Sequence, residues 1–297
     1  VQTDSLVQLA ATRNRLGRPR HAIAAARAAM AIGEEIENEW GRADSARELA
    51  LGLLECGEYG LGLTMAQHSM AAARIAGHMP LTVMCMAVLG MVQRRLGMLG
   101  EACATHQELW SISTALNHPM FVELAAGELC AYHAVNGDWT EAAHWAERAL
   151  DSRSPGFPFF GATRPHEAAA LAHAGQYARA EEDLRPFGAR SGQSPRYRLS
   201  YLRALAVLEA WEGQGSGAMG RLEAASALSE ASELLGERWE IMASLAELYR
   251  RRGEGELAVR AARQADELLA TLAANIRDEE LRACFLRHAQ RTSASLA

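Results

Sequence analysis

The sequence contains no lysine, and all 30 of its basic residues are arginine. Aromatic residues make up only 6 % of the 297 residues. A β-sandwich or barrel needs β-branched and aromatic residues in alternation, so this scarcity argues against both folds. No run of 18 or more apolar residues occurs, and the N-terminus has no basic segment followed by an apolar one. We therefore expect neither a membrane span nor a secretory signal peptide.

The five cysteines are scattered, odd in number and without CxxC spacing. This pattern argues against a disulfide framework and favours a reduced, cytoplasmic protein. The net charge is −6, so the chain has no overall basic field that would attract nucleic acid. We expect no direct nucleic-acid partner and no membrane partner.

Alanine, by contrast, is abundant, with 59 copies in the chain. Alanine is the best helix former, and its small side chain allows helices to approach closely. The composition therefore predicts an all-α protein.

Glycine recurs at an almost constant spacing of about forty residues. The repeated positions are Gly17, Gly57, Gly97, Gly137, Gly175, Gly213 and Gly253. Seven residues before each glycine and five residues after it stands a small residue, such as Ala50 and Gly62 around Gly57. A glycine that ends one helix, with small residues on both sides, predicts two closely packed antiparallel helices. Because one such pair cannot bury its apolar face, the pairs must stack into a solenoid.

These columns resemble the tetratricopeptide repeat, with Leu and a small residue in the first helix, Gly at the turn, an aromatic two residues later, and then Ala. The best copy is the segment Gly137-Asp138-Trp139-Thr140-Glu141-Ala142. The repeat here is longer than the common period of about 34 residues. One repeat has Glu167 in the Leu column. The resemblance implies an α-solenoid, a right-handed superhelix of seven helix pairs.

We expect residues 1–297 to form a single domain closed by a capping helix at 276–290. The terminal segment 276–286 resembles the closing stretch of long-period repeat regions in bacterial multidomain ATPase, nucleotide cyclase or transcription regulators. Because the chain begins at Val1 and not at a methionine, we expect it to be part of a longer protein.

Signals for catalysis are weak. The glycines Gly215, Gly217 and Gly220 match GxGxxG, but they follow a predicted helix and not the strand that a dinucleotide site requires. His166 and His173 are seven residues apart, whereas a zinc pair on a helix prefers three or four. We therefore expect no enzyme activity, no catalytic or metal-binding residues and no cofactor.

The first helices of such a solenoid line its concave face. The helical register predicts a small, apolar groove edged by arginines, which suits a peptide with a carboxylate. The predicted groove residues are Arg47, Met84, Met91, Arg94, Arg95, Arg203 and Trp211. In the alternative interpretation the methionines fill the core and the arginines pair with Glu48, Glu55 and Glu128.

The segment 154–161 interrupts the repeats and contains two prolines together with Phe157, Phe159 and Phe160. It is either a contact loop that reaches the groove or another domain, or a plug between repeats four and five.

Taken together, the sequence predicts a non-catalytic scaffold that binds a protein, a peptide or a small effector in its groove. We expect it to act as the sensor or interaction arm of a bacterial signalling or transcription regulator. The alternative is a stand-alone adaptor or self-associating assembly scaffold, which would be a homo-oligomer.

Overall fold

The computed structural model describes residues 2–153 and 161–295, and these residues form fifteen helices. They are α1 Gln2–Arg15, α2 Pro19–Glu35, α3 Glu39–Glu55, α4 Tyr59–Ala76, α5 Met79–Arg95, α6 Leu99–Ala115, α7 Pro119–Val135, α8 Trp139–Asp151, α9 Arg164–His173, α10 Tyr177–Ser191, α11 Pro195–Trp211, α12 Gly215–Ala231, α13 Leu235–Arg251, α14 Gly255–Ala274 and α15 Glu279–Ser295. Phe157, Phe159 and Phe160 lie outside the described residues.

Local signals in the sequence start and stop the helices. The side chains of Asn38, Asp138 and Ser194 each accept a hydrogen bond from a backbone N–H in the first turn of the helix that follows. The glycine that ends each first helix is left-handed, as at Gly57 with φ of 79° and Gly97 with φ of 78°. Other residues reach that conformation only at a cost, so glycine at this position fixes the turn.

The small-residue columns lie where the two helices of a pair meet. Ala50 and Ala102 are fully buried. At Gly90 in α5 a side chain has no room at all, because a Cβ atom there would lie 2.4 Å from the imidazole of His106 in α6. Seven antiparallel pairs, α1–α2 to α13–α14, stack into the α-solenoid that the sequence predicted.

The superhelix closes on itself. Helix α13 contacts α3, and α15 contacts α7. One apolar cluster combines Tyr59 and Met91 from the second and third pairs with Trp239, Leu272 and Phe285 from the last pair and α15. Helix α15 continues to Ser295, five residues past the predicted end of the cap. The last pair and α15 thus pack over α3 and α7, which are first helices of the early repeats.

Candidate ligand-binding cavity

The open part of the concave side is a cavity of about 390 Å³ in the last three repeats. First helices α9, α11 and α13 supply most of its wall, and α8, α12 and α15 complete it. The lining residues are Trp139, Pro165, His166, Ala169, His173, Arg203, Ala206, Val207, Ala210, Trp211, Leu222, Glu240, Ser244, Glu247, Leu248, Arg251 and Thr292. Its volume is within the range of about 300–1,000 Å³ that is usual for ligand pockets.

Small side chains create this space. Ala169 of α9 and Ala206 and Ala210 of α11 face the cavity, where longer side chains would fill it. Val207 and Leu248 add apolar wall. The surface that a ligand meets is therefore mainly apolar, which favours burial of apolar groups.

Three rings form an aromatic stack beside the cavity. Trp139 stacks on His173 with ring centroids 3.7 Å apart and an interplanar angle of 14°. His173 meets Trp211 edge-on at 4.4 Å. Burial lowers the pKa of His173, so the ring in the middle of the stack is neutral near pH 7. Trp211 is 48 % exposed, and tryptophan is one of the residue types in which binding hot spots are enriched.

The charged side chains of the lining are held in ion pairs. Arg203 reaches Glu237 with one Nη and lies 2.5 Å from Glu240 with the other. Glu247 is bound by Arg250 and, at 2.7 Å, by Arg251. Each charge on the wall therefore has an opposite charge beside it.

His166 projects into the same space from α9. Burial lowers the pKa of its imidazole to about 3, and the positive charge of Arg94 lowers it further, while Glu240 opposes the shift. The side chain is therefore uncharged at neutral pH. It offers a ligand hydrogen bonding without a charge.

The pair Arg203–Glu240 also belongs to a larger cluster at the centre of the superhelix. Its six members are Glu55, Arg95, Arg196, Arg203, Glu237 and Glu240. Arg196 bridges Glu55 at 2.9 Å and Glu237 at 2.5 Å. Burial by itself raises the pKa of Glu237, but the adjacent charges of Arg196, Arg203 and Arg95 bring it well below its usual range. Three cations and three anions thus join α3, α5, α11 and α13 across the fold.

Two of the seven predicted groove residues, Arg203 and Trp211, lie together on this cavity. The other five lie elsewhere. Met91, Arg94 and Arg95 line a second depression of only about 10 Å³, beside Glu55 and Arg196.

Two further predicted residues line neither depression. Arg47 is buried and pairs with Asp44 at 2.5 Å and Glu48 at 2.7 Å. Met84 packs beside the apolar cluster of α3 to α7. Arg94, in turn, pairs with Glu128 at 2.9 Å, with both side chains buried.

Most of the cavity wall was missed from the sequence, although a usable signal existed. Met91 is a predicted groove residue because it stands six residues before its turn glycine. The same column in the last three repeats holds Ala169, Val207 and Glu247, all of which line the cavity. The register was therefore informative, but the sequence did not show which repeats keep an open groove.

Residues 2–153 and 161–295 contain no group of three or more His, Cys, Asp or Glu side chains that could hold a metal ion. No helix there is both long and apolar enough to cross a membrane. The GxGxxG glycines form the first turns of helix α12, which begins at Gly215.

No protein-family model matches the chain, and no curated protein matches it in sequence. Solved structures do match. A Rap protein complexed with competence and sporulation factor has a TM-score of 0.73 and 14 % identity, over 92 % of this chain and 76 % of that one. The fold is tetratricopeptide-like.

Two further similar structures are regulators by description. The Rap conjugation gene regulator of the plasmid pLS20, in complex with a peptide, has a TM-score of 0.67 and 15 % identity, over 90 % of this chain and 72 % of that one. The apo form of the quorum sensor NprR from B. thuringiensis has a TM-score of 0.58 and 12 % identity, over 85 % of this chain and 72 % of that one. At such identities the likeness concerns the fold.

Proposed function

We propose that this protein is a non-catalytic scaffold that binds a peptide in the cavity between α9, α11 and α13. The observation that carries the proposal is the cavity itself, a mainly apolar space of about 390 Å³ with the half-exposed ring of Trp211 on its wall. Such a concave site with a few polar groups is where a ligand gains most contact area.

The similar structures support a peptide as the ligand. One Rap protein was solved with competence and sporulation factor, and the pLS20 regulator with a peptide. Their concave helical-repeat architecture matches this chain over 90 % or more of its length. From these structures we infer only the class of ligand, a peptide, and not its sequence.

We further propose that the chain, as one domain spanning 1–297, is the sensing arm of a bacterial signalling or transcription regulator in the cytoplasm. The quorum sensor NprR, which has a similar fold, supports this role. The segment 276–286, which resembles the closing stretch of repeat regions in bacterial regulators, supports it as well.

A peptide library displayed on phage tests the binding function. Peptides selected on the wild-type protein are titrated against a variant with a filled cavity, Val207→Trp, and against Val259→Trp. Val259 is 71 % exposed on α14, so its replacement makes the same chemical change away from the cavity. We expect the selected peptides to lose at least about tenfold in affinity for Val207→Trp only. Equal binding to all three proteins would place the peptide site elsewhere.

A further inference from the structure

We propose that the cavity accepts an uncharged apolar side chain of the peptide and discriminates against a charged one. This inference rests on the proposed function and adds the class of ligand group. It differs from the expectation of a carboxylate held by arginines, and the charge distribution around the cavity is the reason.

The first step is the charge balance of the wall. The charged lining residues are two arginines, Arg203 and Arg251, and two glutamates, Glu240 and Glu247. Their formal charges sum to zero. A ligand that brings a net charge therefore finds no excess of opposite charge to neutralise it.

The second step is that these charges already have partners. Arg203 uses both Nη atoms on Glu237 and Glu240, and Glu240 is also bound by Arg95. Arg251 donates through Nε to Glu247. An anionic ligand would have to compete with the glutamates that these arginines already bind. At Arg203 it would have to disrupt a largely buried ion-pair cluster, which is unfavourable.

The third step concerns the uncharged polar groups. The hydroxyl of Ser244 donates to the backbone carbonyl of Glu240 at 2.9 Å. His166 carries no charge at neutral pH, because burial keeps the pKa of its imidazole near 3. Neither group compensates a ligand charge, whereas the desolvation of that charge remains costly.

The fourth step is the size of the space. A cavity of about 150 Å³ holds one benzene molecule. The present cavity, at about 390 Å³, has room for a two-ring group or for two neighbouring aliphatic side chains. Ala169, Ala206 and Ala210 present methyl groups to such a ligand, and Trp211 offers a ring face.

Two dyes that differ by a single charge test this inference. N-phenyl-1-naphthylamine is neutral, and 8-anilinonaphthalene-1-sulfonate is the same ring system with a sulfonate. Each is titrated by fluorescence against the wild type, Val207→Trp and Val259→Trp. We expect the neutral dye to bind wild type about tenfold more tightly than the sulfonate. This binding should be lost in Val207→Trp and kept in Val259→Trp.

A charge placed in the cavity gives the reciprocal test. In Val207→Lys an unpaired cation faces the ligand, so the preference should move toward the sulfonate dye, and salt should weaken that new binding. Val259→Lys is the matched control and should keep the preference of the wild type. Circular dichroism melting of each variant confirms that it is folded.

The outcomes separate the two proposals. Tighter, salt-sensitive binding of the sulfonate dye to wild type would overturn the inference about the ligand group and leave peptide binding in the cavity intact. If Val207→Trp changes the binding of neither dye, the apolar site is wrong. If the selected peptides also bind Val207→Trp with the affinity that they have for the wild type, the proposed function is wrong as well.

Discussion

The hydroxyl of Tyr59 donates a hydrogen bond of 2.8 Å to the backbone carbonyl of Gly236, which is 177 residues away in the chain. The same ring lies against Phe285 of α15, with centroids 5.4 Å apart. Tyr59 begins helix α4 in the second repeat, and Gly236 lies in the first turn of α13 in the seventh. This contact joins the second and seventh repeats, and its contribution to stability can be measured.

Replacing Tyr59 with phenylalanine keeps the ring and removes the hydroxyl, leaving the buried carbonyl of Gly236 without this donor. We expect a loss of about 1–2 kcal/mol in the free energy of unfolding, measured with urea. Tyr201→Phe is the control, because among the described residues the hydroxyl of Tyr201 has no hydrogen-bond partner. Equal losses in the two variants would show that the hydrogen bond from Tyr59 to Gly236 contributes nothing to stability.

The close approach of α5 and α6 gives a second prediction. In Gly90→Ala the new methyl group would lie 2.4 Å from His106, so the buried ring must shift. We expect destabilisation of about 1–3 kcal/mol in urea unfolding. The matched variant Gly100→Ala has no atom within 4 Å of the new methyl group and should be neutral or slightly stabilising. If Gly90→Ala leaves the free energy of unfolding unchanged, the close packing of α5 against α6 at this position is contradicted.

The buried pair of Arg94 and Glu128 gives a third prediction. In Arg94→Met the carboxylate of Glu128, whose side chain is fully buried, loses its cation. We expect a loss of about 3–5 kcal/mol. Arg263→Met removes a pair with Glu267 whose side chains are 75 % and 67 % exposed. That control should change stability by less than about 1 kcal/mol. A comparable loss in both variants would show that burial gives the Arg94–Glu128 pair no special weight.

Acid should weaken the fold before the carboxylates titrate. Burial lowers the pKa of His106 to about 4, although Glu128 opposes the shift, and burial lowers the pKa of His288 to about 4. The unfolded chain, with a histidine pKa of about 6.5, binds protons that the folded chain does not. The stability contributed by the neutral rings is therefore complete above pH 6.5 and declines as the pH falls toward 4.

The variant His106→Gln tests this pH dependence. We expect its free energy of unfolding to fall less between pH 7 and pH 4 than that of the wild type, by up to about 3 kcal/mol. The exposed His21→Gln should behave like the wild type. If the free energy of unfolding of His106→Gln falls with pH as steeply as that of the wild type, the fold does not keep this ring neutral.

The cysteines should divide into two groups in a thiol-labelling experiment. Cys56, Cys85 and Cys130 are buried, and burial raises the pKa of Cys56 to about 12 and of Cys85 to about 11. Because the thiolate is the reactive form, these three should react with Ellman's reagent only after denaturation. Cys103 and Cys284 are partly exposed and are the two expected to react in the native protein. Rapid native labelling of more than two thiols would be inconsistent with this burial.

The helix pairs were predictable because their signals are local. Gly97 ends α5 and Trp139 begins α8, and each signal acts within a few residues of its own helix. Even the irregular position Glu167 has a clear physical reason. Its carboxylate is buried and bound by Arg153 at 2.7 Å and Arg164 at 2.5 Å, so a charge cluster replaces the usual leucine contact.

The position of the open cavity was not predictable in the same way. Arg95 and Arg203 stand in first helices and look like groove residues, but Arg95 reaches Glu237 and Glu240, which are more than 140 residues further along the chain. The sequence by itself determined the helices, their turns and the columns where they touch, since those depend on short-range spacing. Only the tertiary structure decided which arginines are neutralised and which stretch of the concave face stays open. Both depend on how far the superhelix turns before its last repeats and α15 meet the early ones.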